Sequence, residues 1–361
     1  MKTLEAELGE RLQLAENRTQ KRTLTSHDNL LSFGDNDYFN LSQHPDVILA
    51  STQNEHIARS SRLLDGNHPA YTALESLLSH YKKTESALVF GSGYLATLGV
   101  ITSIAGPGDL ILADKQIHAC AIDAMRLCGA TFKRFSHNNA SACEHLLSKY
   151  RKSYKHCFIL TETIFSMDGD VAPLDELFSL ANNHDCILIT DDAHGIGITD
   201  NHMQQHKAHI QIGTMSKGLG SYGGYVCAPK YVIDYLINHA RSFIFSTSLP
   251  YSVIAGALKA LELLIANPQW PKELLTKAQY LGDLLEIDHV QSPIIPYIVN
   301  QNDTALALSK ALLKHGIYVP AIRPPTVPSN TARLRISVSL RHTDDDIMLL
   351  CNTLKQLRAT L

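Results

Sequence analysis

The sequence predicts an α/β protein, in which a large domain on a mostly parallel sheet flanked by helices is followed by a smaller α+β C-terminal domain. Three observations predict it. Short β-branched runs alternate with stretches of helical periodicity from Ser86 to Ala228. Beyond Pro293 the order of elements changes. The 361 residues, 45% of them apolar, suffice for about two domains with a continuous core.

Residues 1–45 read as an amphipathic helix and an arm. Glu5, Glu7, Glu10 and Glu16 interrupt the apolar residues there, which excludes the unbroken apolar core of a secretory signal. Residues 46–250 form the large domain, with strands at SALVF (86–90), LILA (110–113), CFILT (157–161), CILITD (186–191) and IQIGT (210–214). Apolar residues at helical spacing mark 94–105, 119–128, 141–150 and 174–183 between them. Strands joined by crossover helices make right-handed βαβ units, whose ligands bind at the carboxyl ends of the strands. Residues 251–288 read as connecting helices broken at Asn267-Pro268, because proline donates no amide hydrogen and pushes its predecessor out of helical φ/ψ. Residues 289–361 carry PIIPYIV, the helical DTALALSKALLKHG, then YVPAI, RLRISVS and an amphipathic segment over 343–357.

Charge and cysteine usage exclude several function classes. Lys+Arg 32 against Asp+Glu 35 leaves −3, with no basic block to hold a phosphate backbone, so neither nucleic acid nor a membrane is an expected partner. No apolar run approaches the roughly 18 residues of a membrane span. Seven cysteines without a C-x-x-C pair fit reduced thiols in a cytoplasm. His202, His206 and His209 have helical metal-site spacing, but no Cys or carboxylate must join them, so they read as surface histidines and no metal is expected.

Two segments carry chemistry. LITDDAHGIG (188–197) runs a buried strand into Asp191, Asp192 and His194, either a ligand site or a solvated Asp-Asp turn. IGTMSKGLGSYGG (212–224) sets an isolated Lys217 among Thr214, Ser216 and five glycines. That composition suits a phosphate beside an amine or an ordinary glycine-rich turn, and the order is not that of a Walker loop. Together they supply an amine for a Schiff base, a carboxylate for a pyridine nitrogen and small donors for a phosphate, which are the needs of pyridoxal 5′-phosphate.

With these residues in view, the chain resembles the fold-type I pyridoxal-phosphate enzymes of the α-oxoamine synthase group. The resemblance runs through NDYFNLSQHP (36–45), TETIFSMDGDVAPL (161–174), DDAHGIG (191–197), TMSKGLG (214–220), FSTSLP (245–250) and AIRPPTVPSNTARLRIS (321–337). The last stretch is similar to the oxononanoate-forming members in particular. The resemblance implies that Lys217 holds the cofactor and serves as base, Asp191 pairs with the pyridine nitrogen, and His194 and Ser166 approach the phenolic oxygen. It also implies that His118 stacks on the ring and that Gly93, Tyr94 and Thr214 serve the phosphate. For substrates it points to Arg335 for the amino-acid carboxylate, Thr326 at the entrance and Arg18 near the acyl group. The implied reaction condenses L-alanine with a pimeloyl thioester, carried by coenzyme A or an acyl-carrier protein, in a homodimer with shared sites. A glycine C-acetyltransferase and a catalytically silent partner subunit are the rival readings. The chain departs from the group at GNHPAYTALE, where Tyr71 stands at a histidine position, and at ARSSR, ending in Arg62.

Overall fold

The computed structural model describes residues 2–27, 29–52, 58–199 and 208–360. The chain forms two compact units: a larger one of residues 36–166 and 170–275, and a smaller one of residues 1–35, 167–169 and 276–361. No helix among the described residues is long and apolar enough to cross a membrane.

The larger unit is built on a seven-stranded sheet. Its strands are β1 (Ser86–Phe90), β2 (Leu110–Asp114), β3 (Thr131–Phe135), β4 (Cys157–Glu162), β5 (Ile187–Asp191), β6 (Ile210–Thr214) and β7 (Gly224–Ala228). They lie in the order β1-β7-β6-β5-β4-β2-β3. Only β7 runs against the rest, pairing antiparallel with both neighbours. The carboxyl ends of the other six therefore open on one edge. All residues of β2 and β4 are buried, as expected of central parallel strands covered on both faces. β3 was not expected from the sequence. β3 is the sheet edge and exposes Thr131, Phe132 and Arg134, so it shows no apolar run.

Three helices matter for the site. α1 (Pro69–Tyr81) starts with proline in its first turn, where no amide hydrogen is needed. α2 (Gly93–Ile104) is capped by Ser92, whose hydroxyl accepts the Leu95 N–H at 3.2 Å. α3 (Ala119–Cys128) is capped by His118, which accepts the Cys120 N–H through Nδ1 at 3.2 Å, and ends at Gly129 with φ +76°. Leu88, Phe90, Val100, Ile101, Met125, Phe158, Leu160, Ile189 and Val226 form the core between sheet and helices. Residues 251–285 make two helices, Tyr251–Ala266 and Trp270–Leu284, with the break at Asn267-Pro268.

The smaller unit holds an antiparallel sheet with β8 (Ile294–Asn300) and the two-residue strand Ala321–Ile322 on either side of β9 (Ala332–Ser337). YVPAI, expected as one strand, is divided. Ile317–Tyr318 pairs parallel with Leu31–Ser32, whereas Ala321–Ile322 pairs with β9. Pro320 lies between them and has no N–H for a ladder. Arg333 is 2% exposed and forms an ion pair with Asp168, so this arginine ties the 167–169 segment to β9.

Candidate active site

The residues expected from the sequence in the larger unit follow the carboxyl ends of β1, β2, β4, β5 and β6. Asp191 is the last residue of β5, and its Oδ1 accepts the Ala193 N–H at 2.9 Å. Burial pushes its pKa up, while Lys217, the Ala193 amide and His118 pull it down. Asp192 has a separate task. Its side chain is fully buried, 2.9 Å from the equally buried Lys82 Nζ, and it accepts from Thr163 Oγ1 at 3.1 Å. One carboxylate of the pair thus belongs to the site and the other to the scaffold.

His194, 4% exposed, joins two groups. Its Nε2 lies 2.8 Å from Lys217 Nζ and its Nδ1 2.6 Å from the Tyr38 hydroxyl, which donates to Asn36 Oδ1 at 3.2 Å. These bonds are satisfied together when Nδ1 carries the proton and donates to Tyr38, leaving Nε2 to accept from Lys217. The amine is thereby held in a hydrogen-bonded chain running Lys217, His194, Tyr38, Asn36. Tyr38 was not singled out from the sequence. Its segment, NDYFNLS, follows no strand or periodicity signal that would direct a tyrosine to an imidazole.

The loop after β6 is fixed by its own bonds. Thr214 Oγ1 donates to Gly223 O at 2.7 Å and accepts the Ser216 N–H at 3.2 Å. Beside it begins α2, where a Cβ on Gly93 would lie 3.1 Å from that of Thr214. Glycine therefore leaves a cradle between a helix N-terminus and a buried hydroxyl, a setting that suits an anion. Tyr94 offers its main chain there, since its hydroxyl bonds Asp123 and its ring is 42% exposed. His118 is an exposed residue at the start of α3, and desolvation lowers its pKa against the pull of Asp191.

One residue was missed outright. Glu162, the last residue of β4, pairs in register with Asp191, and its carboxyl accepts the main-chain N–H groups of His118 and Ser166. The signal that finds it is register, since adjacent parallel strands ending level bring TE of TETIFS beside TD of LITD.

The remaining expected residues lie in the smaller unit. Arg335 on β9 is 4% exposed and donates to Ser337 Oγ at 2.7 Å. Thr326 accepts from Arg22 Nη2 at 3.2 Å, while the exposed Arg18 makes no side-chain hydrogen bond or ion pair among the described residues. Arg22 is thus the arginine bonded to the 323–328 loop. At the departures from the group, Arg62 lies over the Tyr71 ring at 4.0 Å and pairs with Glu75, while the Tyr71 hydroxyl donates to Leu249 O at 3.1 Å. His202 and His206 lie outside the described residues. His209 accepts the Leu188 N–H through Nδ1 at 2.9 Å.

The family model for aminotransferases of class I and II matches residues 28–354. An 8-amino-7-oxononanoate synthase of Granulibacter bethesdensis is 42% identical over 376 residues, which cover 99% of this chain and 98% of that protein. Among solved structures, Sphingomonas wittichii serine palmitoyltransferase superposes with a TM-score of 0.91 at 28% identity, over 99% of this chain and 98% of that one. A serine palmitoyltransferase solved with its pyridoxal-phosphate internal aldimine gives 0.86 at 28% identity, over 91% and 88% of the two chains.

Proposed function

The chain belongs to the class I and II aminotransferases and, within them, to the 8-amino-7-oxononanoate synthases, and from that premise we propose how its residues perform the reaction. It is a pyridoxal-phosphate-dependent acyltransferase of the fold-type I class, acting in biotin synthesis. The reaction joins L-alanine to a pimeloyl thioester and releases 8-amino-7-oxononanoate, carbon dioxide and the free thiol carrier.

The donor set fits the cofactor. One amine, one carboxylate beside it, two imidazoles, and an anion cradle at Gly93 and Thr214 lie along one edge of the sheet. Lys217 would hold the aldehyde carbon, Asp191 the pyridine nitrogen, His118 the ring face, His194 and Ser166 the phenolic oxygen. Gly93, the Tyr94 main chain and Thr214 would hold the phosphate. When bound, pyridoxal phosphate supplies an electron sink for the charge left at the substrate's α-carbon. Lys217 takes and returns the proton at that carbon, and the acceptor at His194 Nε2 keeps its amine aimed. Asp191, as a carboxylate, keeps the proton on the pyridine nitrogen. Arg335 supplies a planar guanidinium for the alanine carboxylate, and Thr326 and Arg18 serve the acyl donor. The observation that carries this reading is the placement of Lys217, His194 and Asp191 on two neighbouring strand ends.

Two coarser points extend the reading. Exposed apolar side chains such as Leu64 and Phe245 support a homodimer, with the exposed Thr247 offered to the partner's site, whereas Ser248, expected beside it, is buried. Seven cysteines, none in a disulfide among the described residues, support a cytoplasmic setting.

Turnover of alanine with pimeloyl-CoA should exceed that of glycine with acetyl-CoA, and the opposite preference would make the chain a glycine C-acetyltransferase. Purified protein should show a visible cofactor band that Lys217→Ala loses. A protein that stays colourless with added cofactor would be a silent subunit. Comparing pimeloyl-CoA with a pimeloyl carrier protein decides the donor.

A further inference from the structure

Glu162 takes no part in the chemistry above, yet it lies among the groups that do. Its side chain is 3% exposed. The carboxyl accepts the main-chain N–H groups of His118 and Ser166, and Oε1 has no hydrogen-bond partner. The titratable groups facing it come from each surrounding element: Asp191 from β5, Lys217 from the loop after β6, and His118 and Cys120 from the start of α3.

Charge balance decides its form. One amine faces two buried carboxyls, and two carboxylates sharing a site cannot both ionise cheaply. Asp191 is the more exposed of the two and has the Ala193 amide on Oδ1. Glu162 is the more deeply buried, and burial together with the Asp191 charge pushes its carboxyl well above the usual range. A neutral acid accepts both main-chain bonds through its carbonyl oxygen. An unpaired buried O–H at Oε1 costs far less than an unpaired buried charge.

Resting on the reading of the site given above, we propose that Glu162 is a positioning residue that works as a neutral carboxylic acid. Its carbonyl oxygen pins the main chains of His118 and Ser166. Its lack of charge leaves Asp191 as the carboxylate that faces Lys217 and the cofactor nitrogen. An ionised Glu162 would draw positive charge away from Asp191 and hold Lys217 in its ammonium form, which cannot accept a proton.

Glu162→Gln keeps the carbonyl and removes the titration, whereas Glu162→Leu removes the acceptor. In the wild type the unfolded chain loses this proton above its ordinary carboxyl value while the folded state keeps it, so folding is penalised increasingly as pH rises. The cofactor-free Gln variant should therefore melt at or above the wild type, with a gap that widens as pH rises above the ordinary carboxyl range. It should bind pyridoxal phosphate within about threefold of the wild type, and the Leu variant at least about tenfold more weakly. The wild type should show at pH 7 an infrared carboxylic-acid carbonyl band that the Gln variant lacks. A Gln variant that melts below the wild type by a margin growing with pH, or that loses cofactor affinity about tenfold, would overturn the proposal. So would the absence of the band. None of these readouts uses acyl transfer, so a wrong substrate assignment would leave them standing. If the Leu variant fails to fold, the Gln variant alone decides.

Discussion

Two adjacent aspartates divide their labour at the end of β5, and the division rests on one lysine. Lys82 and Asp192 are both without exposed side-chain surface and lie 2.9 Å apart. Removing one partner strands the other as a buried charge. Lys82→Met should therefore cost about 3–5 kcal/mol in denaturant unfolding, while replacing both partners with apolar residues of similar volume should recover much of the loss. Asp191→Asn acts differently. It should leave the melting temperature close to the wild type and remove alanine turnover, because the amide carries no charge for the pyridine nitrogen. At this scale the sequence was informative about residue type and silent about pairing. DDAHG announces a site, but nothing in it tells which carboxylate turns inward to Lys82, a residue about a hundred positions away.

Between elements, two histidines act with opposite sign. His342 in the smaller unit stacks on Phe33 at 4.0 Å, accepts the Ser339 N–H through Nδ1 at 3.0 Å, and lies 2.9 Å from Ser32 O through Nε2. Burial lowers its pKa to about 4. Below pH 6.5 the unfolded chain takes up a proton that the folded state refuses, so stability falls as pH drops from about 6.5 to about 4. The full effect is about 3 kcal/mol, and His342→Gln should flatten that part of a stability-against-pH curve. His137 in the larger unit is clamped between Asp114 at 2.9 Å and Asp170 at 2.8 Å, and these carboxylates raise its pKa to about 10 despite burial. Its contribution is complete below about 6.5 and is lost as pH rises through about 10, so His137→Gln should weaken the protein most at neutral and acidic pH. The elements themselves were legible wherever one physical signal dominated. Five buried strands and the capped helices appear in the sequence as apolar runs and periodicity. β3 was hidden by its exposed edge, and the division of YVPAI followed from one proline's missing donor.

For the whole molecule, the near-zero net charge matches a protein whose anions are met by a few placed groups. In the proposed reading, the cradle at Gly93 and Thr214 and the guanidinium of Arg335 would do locally what a basic surface would do globally. Loading the cofactor to a hundredfold above its dissociation constant should add about 2.7 kcal/mol to folding. Differential scanning calorimetry of the apo and loaded forms checks this, and Lys217→Ala should forfeit part of the gain. The smaller unit has a separate consequence for synthesis. Leu31 and Ser32 pair with Ile317 and Tyr318, and the 167–169 segment also belongs to that unit through Arg333. On the ribosome the larger unit can close while the strand made first still waits, unpaired, for a partner made among the last. Its exposed stretch is a natural client for a holding chaperone until the chain is released.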